Sequence, residues 1–308
     1  MKNYNKRDIY QEVTDTIIKQ LGEVSADDYR SPWVNILGQS PMSIDGRAYR
    51  GLNWVLLSQY AAQCPSMTFG TYKAWQNHGG QVRKGERGKL VTLWKSYKVT
   101  NGEGEGEGEG ESSTSKTGLF LRHFTVFGAE QVDNVNIDSI LAKQRAKQPN
   151  KAQALAHVES LVANYMTGDD LTLAHGGNRA FYAPSKDHIQ MPERASFHDT
   201  EGYYSTLLHE MGHSTLHAKR LDRKPNTNRF GDIGYAQEEL IAEITSAMLT
   251  AALGIEDQPR PDHAQYLKSW LRCLNDHNKA IFTAASQAQK AADYIMAYAT
   301  DSEVRAAA

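Results

Sequence analysis

Cysteine is scarce in this chain of 308 residues: Cys64 and Cys273 lie far apart and form no CxxC pair. That excludes a disulfide framework and a thiolate zinc site, and buried free thiols in a reducing compartment are the expectation. Long apolar runs are missing too. Nothing approaches the ~20 apolar residues of a membrane span, and Met1-Lys2-Asn3-Tyr4-Asn5-Lys6-Arg7-Asp8 lacks the apolar core of a signal peptide. A cytoplasmic protein without a membrane partner is expected. No charge dominates either, the formal net being −2. That near-neutrality hides an asymmetry, because residues 1–150 carry 19 Lys/Arg against 16 Asp/Glu and the remainder 15 against 20. Five of the first-half acids sit in one Gly/Glu run, so the rest of that half is basic and suited to polyanions, although basic surfaces are often only solvated faces.

What the sequence does have is pattern. Its length favours two domains. Ile9, Val13, Ile17, Ile18 and Leu21 recur at helical spacing and predict an opening amphipathic helix ended near Gly22. Leu52 to Leu57 reads as helix or buried strand, and Thr71 is placed to cap a short helix through Trp75 that stops at Gly79-Gly80. A cation-rich turn, 82–89, runs into a strand from Leu90 to Val99, and a second strand covers Leu119 to Phe127. The Gly/Glu run between them, about 101–116, can bury almost nothing and is expected to be a disordered loop joining two strands of one sheet. The polar stretch 138–151 is expected to link a first domain, 1–137, to a second, 152–308. Within the second, a helix is expected over Ala152 to Tyr165. Arg179 to Pro184 and His188 to Met191 read as a hairpin whose second strand offers an edge to an extended peptide. Helices are expected over Thr200 to His217, Tyr235 to Leu253 and Ser269 to Ala299.

The helix at 200–217 contains His209-Glu210-Met211-Gly212-His213, an HExxH motif. Positions i and i+4 stand one above the other, so His209 and His213 can offer imidazole nitrogens to one ion while Glu210 borders it as a general base. Two surface histidines are the plain alternative; the apolar surroundings weigh against it, since histidines on an apolar face need partners. On the next helix Glu239 and Glu243 share a face. Glu243, deepest in the apolar run, is expected as third ligand with Glu239 holding an imidazole, and the reversed assignment stays open. Glu238, a quarter turn away, is expected to be solvated. Two His and one Glu leave a position for water, the arrangement of a hydrolytic zinc, and manganese or another divalent ion also accepts such donors. His217 continues the row as a fourth ligand, a transition-state donor or merely a donor to a carbonyl at the helix end. Tyr235 is a candidate oxyanion donor.

Tyr49-Arg50-Gly51-Leu52-Asn53, Val82-Arg83-Lys84-Gly85-Glu86-Arg87-Gly88 and Thr125-Val126-Phe127-Gly128-Ala129-Glu130-Gln131 together resemble the N-terminal domain of ArdC-type antirestriction proteins. Plasmid TraC-type primases carry a similar domain. Leu208 to His213, with Arg220-Leu221 and Tyr235 to Glu243, resembles the zincin-type peptidase domain found with it. The resemblance implies an α+β protein: a mixed α/β N-terminal domain that binds single-stranded DNA, and a mainly helical, gluzincin-like metallopeptidase domain with a small antiparallel sheet. It further implies a plasmid-encoded protein that shields incoming conjugative DNA from host restriction and acts on an unknown protein substrate.

The residues are compatible with DNA contact. Arg50, Trp54, Lys73, Trp75, Arg83, Lys84, Arg87, Lys89, Trp94 and Lys95 interleave cations with aromatics, so that bases can stack while cations follow phosphates. About half of the tryptophans are expected to be core instead. Two other readings stay open. One is a DNA-binding protective protein whose metal domain is structural or silent. The other is a metal-dependent nuclease, disfavoured because one His₂Glu site lacks the carboxylate-rich two-ion clamp usual for phosphodiesters.

Overall fold

The computed structural model describes residues 8–22, 39–99, 116–223, 233–255 and 263–299. Helix α1 (Ile9–Gly22) starts at Asp8, whose Oδ1 accepts from the Tyr10 and Gln11 amides at 2.9 and 3.2 Å. Its Val13, Ile17 and Leu21 stripe is fully buried. There follow β1 (Met42–Ser43), α2 (Leu52–Ser58), β2 (Thr68–Gly70), α3 (Tyr72–Asn77), β3 (Gln81–Val82), β4 (Lys89–Val99), β5 (Lys116–Gly128) and β6 (Val132–Asp133). Leu52 to Leu57 is thus helix, and Thr71 Oγ1 caps α3 by accepting from the Ala74 amide at 3.1 Å. One sheet has the order β1-β2-β5-β4, with β4 and β5 antiparallel from Lys89↔Val126 to Val99↔Lys116. The Gly/Glu run therefore does join two strands of one sheet; residues 100–115 themselves, like Trp33, lie outside the described residues.

The second half comprises α4 (Ile137–Lys147), α5 (Lys151–Gly168), β7 (Thr172–His175), β8 (Phe181–Ala183), β9 (His188–Met191), α6 (Thr200–Ser214), α7 (Ile233–Leu253), α8 (His263–Asp276) and α9 (Ala280–Met296). A mixed first half and a mainly helical second half with a small sheet is the α+β architecture expected. The small sheet itself departs from expectation. Its order is β7-β9-β8, with β7 parallel and β8 antiparallel to β9, so the sheet is mixed. The second hairpin strand, β9, lies in the middle with both edges paired, and the edges of the sheet are β7 and β8. No strand is expected from sequence at Thr172 to His175, which leaves β9 there as an edge. The helix expected over 269–299 breaks between Asp276 and Ala280.

The stretch 138–151 is largely helix α4, and Asn150 opens α5 through a capping box with Gln153, 3.0 Å in each direction. The largest core runs across this point: Val13, Ile17, Leu21, Trp54 and Leu56 belong to the same buried cluster as Leu208, Leu240, Ile244, Trp270 and Ile281. Thr14 Oγ1 donates to the Asn278 carbonyl at 2.8 Å, and the Gly51 amide donates to Gln289 Oε1 at 2.8 Å. The first and last thirds of the chain thus share one interior. A smaller cluster of Leu57, Cys64, Met67, Phe69, Val91 and Val126 lines the β4–β5 sheet. Both cysteines are buried free thiols, and burial pushes each up to about 11. No described helix is long and apolar enough to cross a membrane.

A buried guanidinium ties the small sheet to the helices. The Arg220 side chain is fully buried. Its Nε donates to the Ser214 carbonyl at the end of α6 (2.7 Å), and its terminal nitrogens reach both oxygens of Asp187 and the Tyr182 hydroxyl (3.2 Å). Asp187 sits in the β8–β9 turn at φ 47°, a left-handed conformation that Asp tolerates better than most residues. Asp169, after α5, lies 4.0 Å from the same guanidinium and accepts from Tyr294 and Tyr298 at 2.9 Å each.

Candidate metal centre

Helix α6 begins at Asp199, whose Oδ1 accepts from the Gly202 amide at 2.7 Å, and carries the HExxH residues on a buried face. Helix α7 is buried on nearly all sides. The two cross closely at Gly212, where a Cβ would stand 3.3 Å from the backbone of Ala242 and from Thr245 Cβ. This approach lays the α7 acids against the α6 histidines. Glu238, Glu239 and Glu243 are only 8%, 5% and 3% exposed.

The acids have distinct places. Glu239 faces both imidazoles: its Oε2 lies 3.6 Å from His209 Nε2 and its Oε1 3.5 Å from His213 Nε2. The two rings stand 4.7 Å apart at 84°. One donor atom from each of His209, His213 and Glu239 falls within 4.8 Å of the others. Ligands bound at about 2.1 Å around a tetrahedral ion are about 3.4 Å apart, so these spacings fit an ion better than they fit direct hydrogen bonds. The far side of each ring meets another carboxylate: Glu243 Oε2 lies 3.6 Å from His209 Nδ1, and Glu238 Oε1 lies 3.6 Å from His213 Nδ1. The third donor is therefore Glu239 and not Glu243, which takes the supporting place.

Glu238 also departs from expectation, being buried and bound to Arg223. The Arg223 guanidinium donates to both Glu238 oxygens (3.2 and 2.5 Å), to Thr215 Oγ1 (2.5 Å) and to the Gly212 carbonyl (3.2 Å). Neither Glu238 nor Arg223 stood out in the sequence, although an acid inside an apolar helix demands a cation. Burial works to lower His213, yet the carboxylates of Glu239, Glu238 and Glu210 outweigh it and push the imidazole up to about 10. Burial conversely works to raise Glu239 and Glu238, and the facing histidines, with Arg223 at Glu238, hold both below the usual carboxylate range. His209, His213 and Glu239, among further buried carboxylates, make a donor set suited to a divalent cation, with His213 giving up its extra proton to ligate.

Glu210 is buried on α6 and stands outside the three-donor group. His217 lies beyond the end of α6 and turns away: its Nδ1 accepts from the Lys219 amide at 3.3 Å and lies 3.8 Å from Asp187. It is not in the three-donor group. Tyr235, half-buried, precedes Glu239 by one turn of α7. Glu243→Gln should leave the three donors in place and lower metal affinity by about 10–100-fold, the usual effect of an outer carboxylate; competition with a chelating dye reads this directly.

The expected DNA residues divide sharply. Trp54 and Trp75 are core, their indole N–H groups donating to Ser40 Oγ (3.2 Å) and the Phe127 carbonyl (2.9 Å). Lys89 is buried as well, donating to Gln131 Oε1 at 2.8 Å above the Tyr60 ring. These three have no surface to offer a nucleic acid. Arg50 is exposed and pairs with Asp293 at 2.5 Å; Arg83 is exposed and pairs with Glu86 at 2.9 Å. Lys73, Lys84, Arg87 and Lys95 are exposed, and Trp94 is 50% exposed.

Comparison with known proteins agrees with this two-part organisation. Residues 7–127 match the N-terminal domain of anti-restriction factor ArdC, and residues 156–287 match a zincin-like metallopeptidase domain. The uncharacterized protein y4eC of Sinorhizobium fredii (strain NBRC 101917 / NGR234) is 39% identical over 309 residues, covering 98% of this chain and 96% of that protein. A DNA primase TraC of Escherichia coli is 35% identical over 308 residues, but the chain spans only 20% of that primase. The metal-free crystal structure of the antirestriction ArdC protein from plasmid R388 superposes with a TM-score of 0.74 at 35% identity, covering 95% of this chain and 98% of that one. The Mn(II)-bound structure of that protein gives 0.70 at 33%, covering 96% and 99%. An ArdC N-terminal region joined to a zincin-like metallopeptidase domain, matched along nearly its whole length, means that this chain belongs to the ArdC family.

Proposed function

We propose that this protein is a cytoplasmic antirestriction protein whose first half binds single-stranded plasmid DNA entering by conjugation and whose second half is a zinc-dependent peptidase. The observation that carries the reading is the buried His209, His213, Glu239 centre in a chain similar from end to end to an antirestriction protein. Zinc suits the His₂Glu set, and manganese is the alternative that the R388 relative raises. When bound, the ion supplies a Lewis acid and a water whose pKa falls to about 7. Glu210 is the base that takes the proton of the attacking water, and Glu243 and Glu238 hold the two imidazoles by their Nδ1 sides. Tyr235 is the donor proposed for the developing oxyanion. The β8 edge, with Phe181 exposed, is where an extended peptide is laid. Lys73, Lys84, Arg87, Lys95 and Trp94 are the exposed residues proposed to meet DNA.

Conjugative delivery of an unmodified plasmid into restricting and non-restricting recipients tests the reading. The wild-type chain should raise transfer only into the restricting host. Equal protection by Glu210→Gln would give the protective role to DNA binding alone, with a silent peptidase. Affinity for a single strand should fall steeply with salt, by about 0.7 in log K per decade for each phosphate contacted; a flat response would defeat the DNA half of the proposal.

A further inference from the structure

Between β4 and α9 runs a groove of about 810 Å³ to which both halves contribute. Three rings follow one another along it: Trp94 of β4 lies 6.4 Å from Tyr10 of α1, and Tyr10 lies 4.8 Å from Phe282 of α9. Three cations line the same groove, Arg50, Lys279 and Lys290; no carboxylate is among the lining residues, although Asp293 just outside pairs with Arg50 at 2.5 Å. Lys279 Nζ stands 4.9 Å from the Tyr10 ring. The platform under Trp94 is fixed, because Asn53 grips the β4 backbone from both sides, donating to the Thr92 carbonyl and accepting from the Thr92 amide at 2.7 Å each.

A seam that merely fastened β4 to α9 would bury its rings, yet half of the Trp94 surface stays open. Cations alone would suit any polyanion. Rings in series ask for flat, unpaired partners, and a duplex keeps its base faces stacked inside. We infer that this groove binds a single-stranded polynucleotide across both halves of the protein, with bases on Trp94, Tyr10 and Phe282 and phosphates at Lys279 and Lys290. The inference rests on the DNA-binding reading above. It moves the main contact from the 82–89 turn to a surface that the last described helix helps to build.

The test is fluorescence anisotropy on the full chain with a labelled oligothymidylate and with a duplex of equal length. Trp94→Ala should weaken single-strand binding at least about fivefold, the low end for loss of one base-stacking ring. Trp94→Phe should restore part of it. Lys279→Ala with Lys290→Ala should lower the salt slope by about 1.4, two phosphate contacts' worth. All these side chains are at least partly exposed, and thermal melting matching wild type would confirm that the variants fold. If the groove variants bind like wild type while Lys84→Ala with Arg87→Ala loses affinity, the groove is overturned and the broader DNA reading stands. If the wild-type chain binds no single strand, both fall. Duplex bound as tightly as single strand, with Trp94→Ala silent, would reduce the groove to a cationic surface and overturn the inference.

Discussion

Glu239→Gln is expected to leave the protein without stoichiometric metal, whereas Glu210→Gln should keep the metal and lose the chemistry. Glu239 is the carboxylate that both Nε2 atoms face, at 3.6 and 3.5 Å. Replacing it removes a donor and a buried negative charge together, so the loss of affinity should exceed the ~100-fold ceiling of an outer partner such as Glu243. Glu210 belongs to no donor pair, and its amide keeps nearly the same volume. Loss of a general base lowers a catalysed rate by about 10²–10⁴-fold. Metal content after dialysis, together with the rate of peptide cleavage, separates the two outcomes. A Glu239→Gln protein that holds metal like wild type, beside a Glu243→Gln protein that is empty, would reverse the assignment.

Arg220→Ala should destabilise the fold by about 3–5 kcal/mol in urea unfolding, the range for stripping one partner from a buried ion pair. The guanidinium is fully buried, and its removal takes from Asp187 its nearest cation, leaving Lys219 at 3.9 Å, and from the Ser214 carbonyl one of its two donors. Lysine should not restore the loss, since an ammonium cannot span both Asp187 oxygens, the Tyr182 hydroxyl and the Ser214 carbonyl at once. The effect has a pH signature. Burial works to raise the Asp187 carboxyl, while the Arg220 and Tyr182 hydrogen bonds and the Arg220 charge outweigh it and hold it below its ordinary value. A depressed carboxylate stabilises above its unfolded pKa of about 3.9, and that contribution disappears as pH falls through the folded value. Wild-type stability should therefore drop on the acid side, and the Arg220→Ala protein should lose less there.

The pair His209 and His213 could be read from the sequence because i,i+4 spacing within one helix is a local matter. Glu239 against Glu243 could not, since both project from one face of α7. What separates them is how far α7 slides along α6, and the contact of Gly212 with Ala242 sets that slide. Depth in an apolar run was the wrong guide: the deeper acid supports a ring from behind. Lys89 was legible only in part. It shares its strand face with Val91 and lies opposite Val126, both buried, although farther along that face Leu93 and Lys95 are exposed. Trp54, set in the run Leu52 to Leu57, was core for the same kind of reason. The stripe of α1 announced a helix but not its neighbours, and those neighbours lie at the other end of the chain.

That last feature shapes how the protein is made. The hydrogen bond from Thr14 to Asn278 joins residues 264 positions apart. At roughly 5–20 residues per second, about 15–50 s of ribosomal elongation separate the two partners. During that time the Val13, Ile17 and Leu21 stripe has no native surface to cover it. Closure waits for a contact of very high sequence separation, the kind that folds slowly. Helix α1, made long before α8 and α9, is thus among the last described elements to dock.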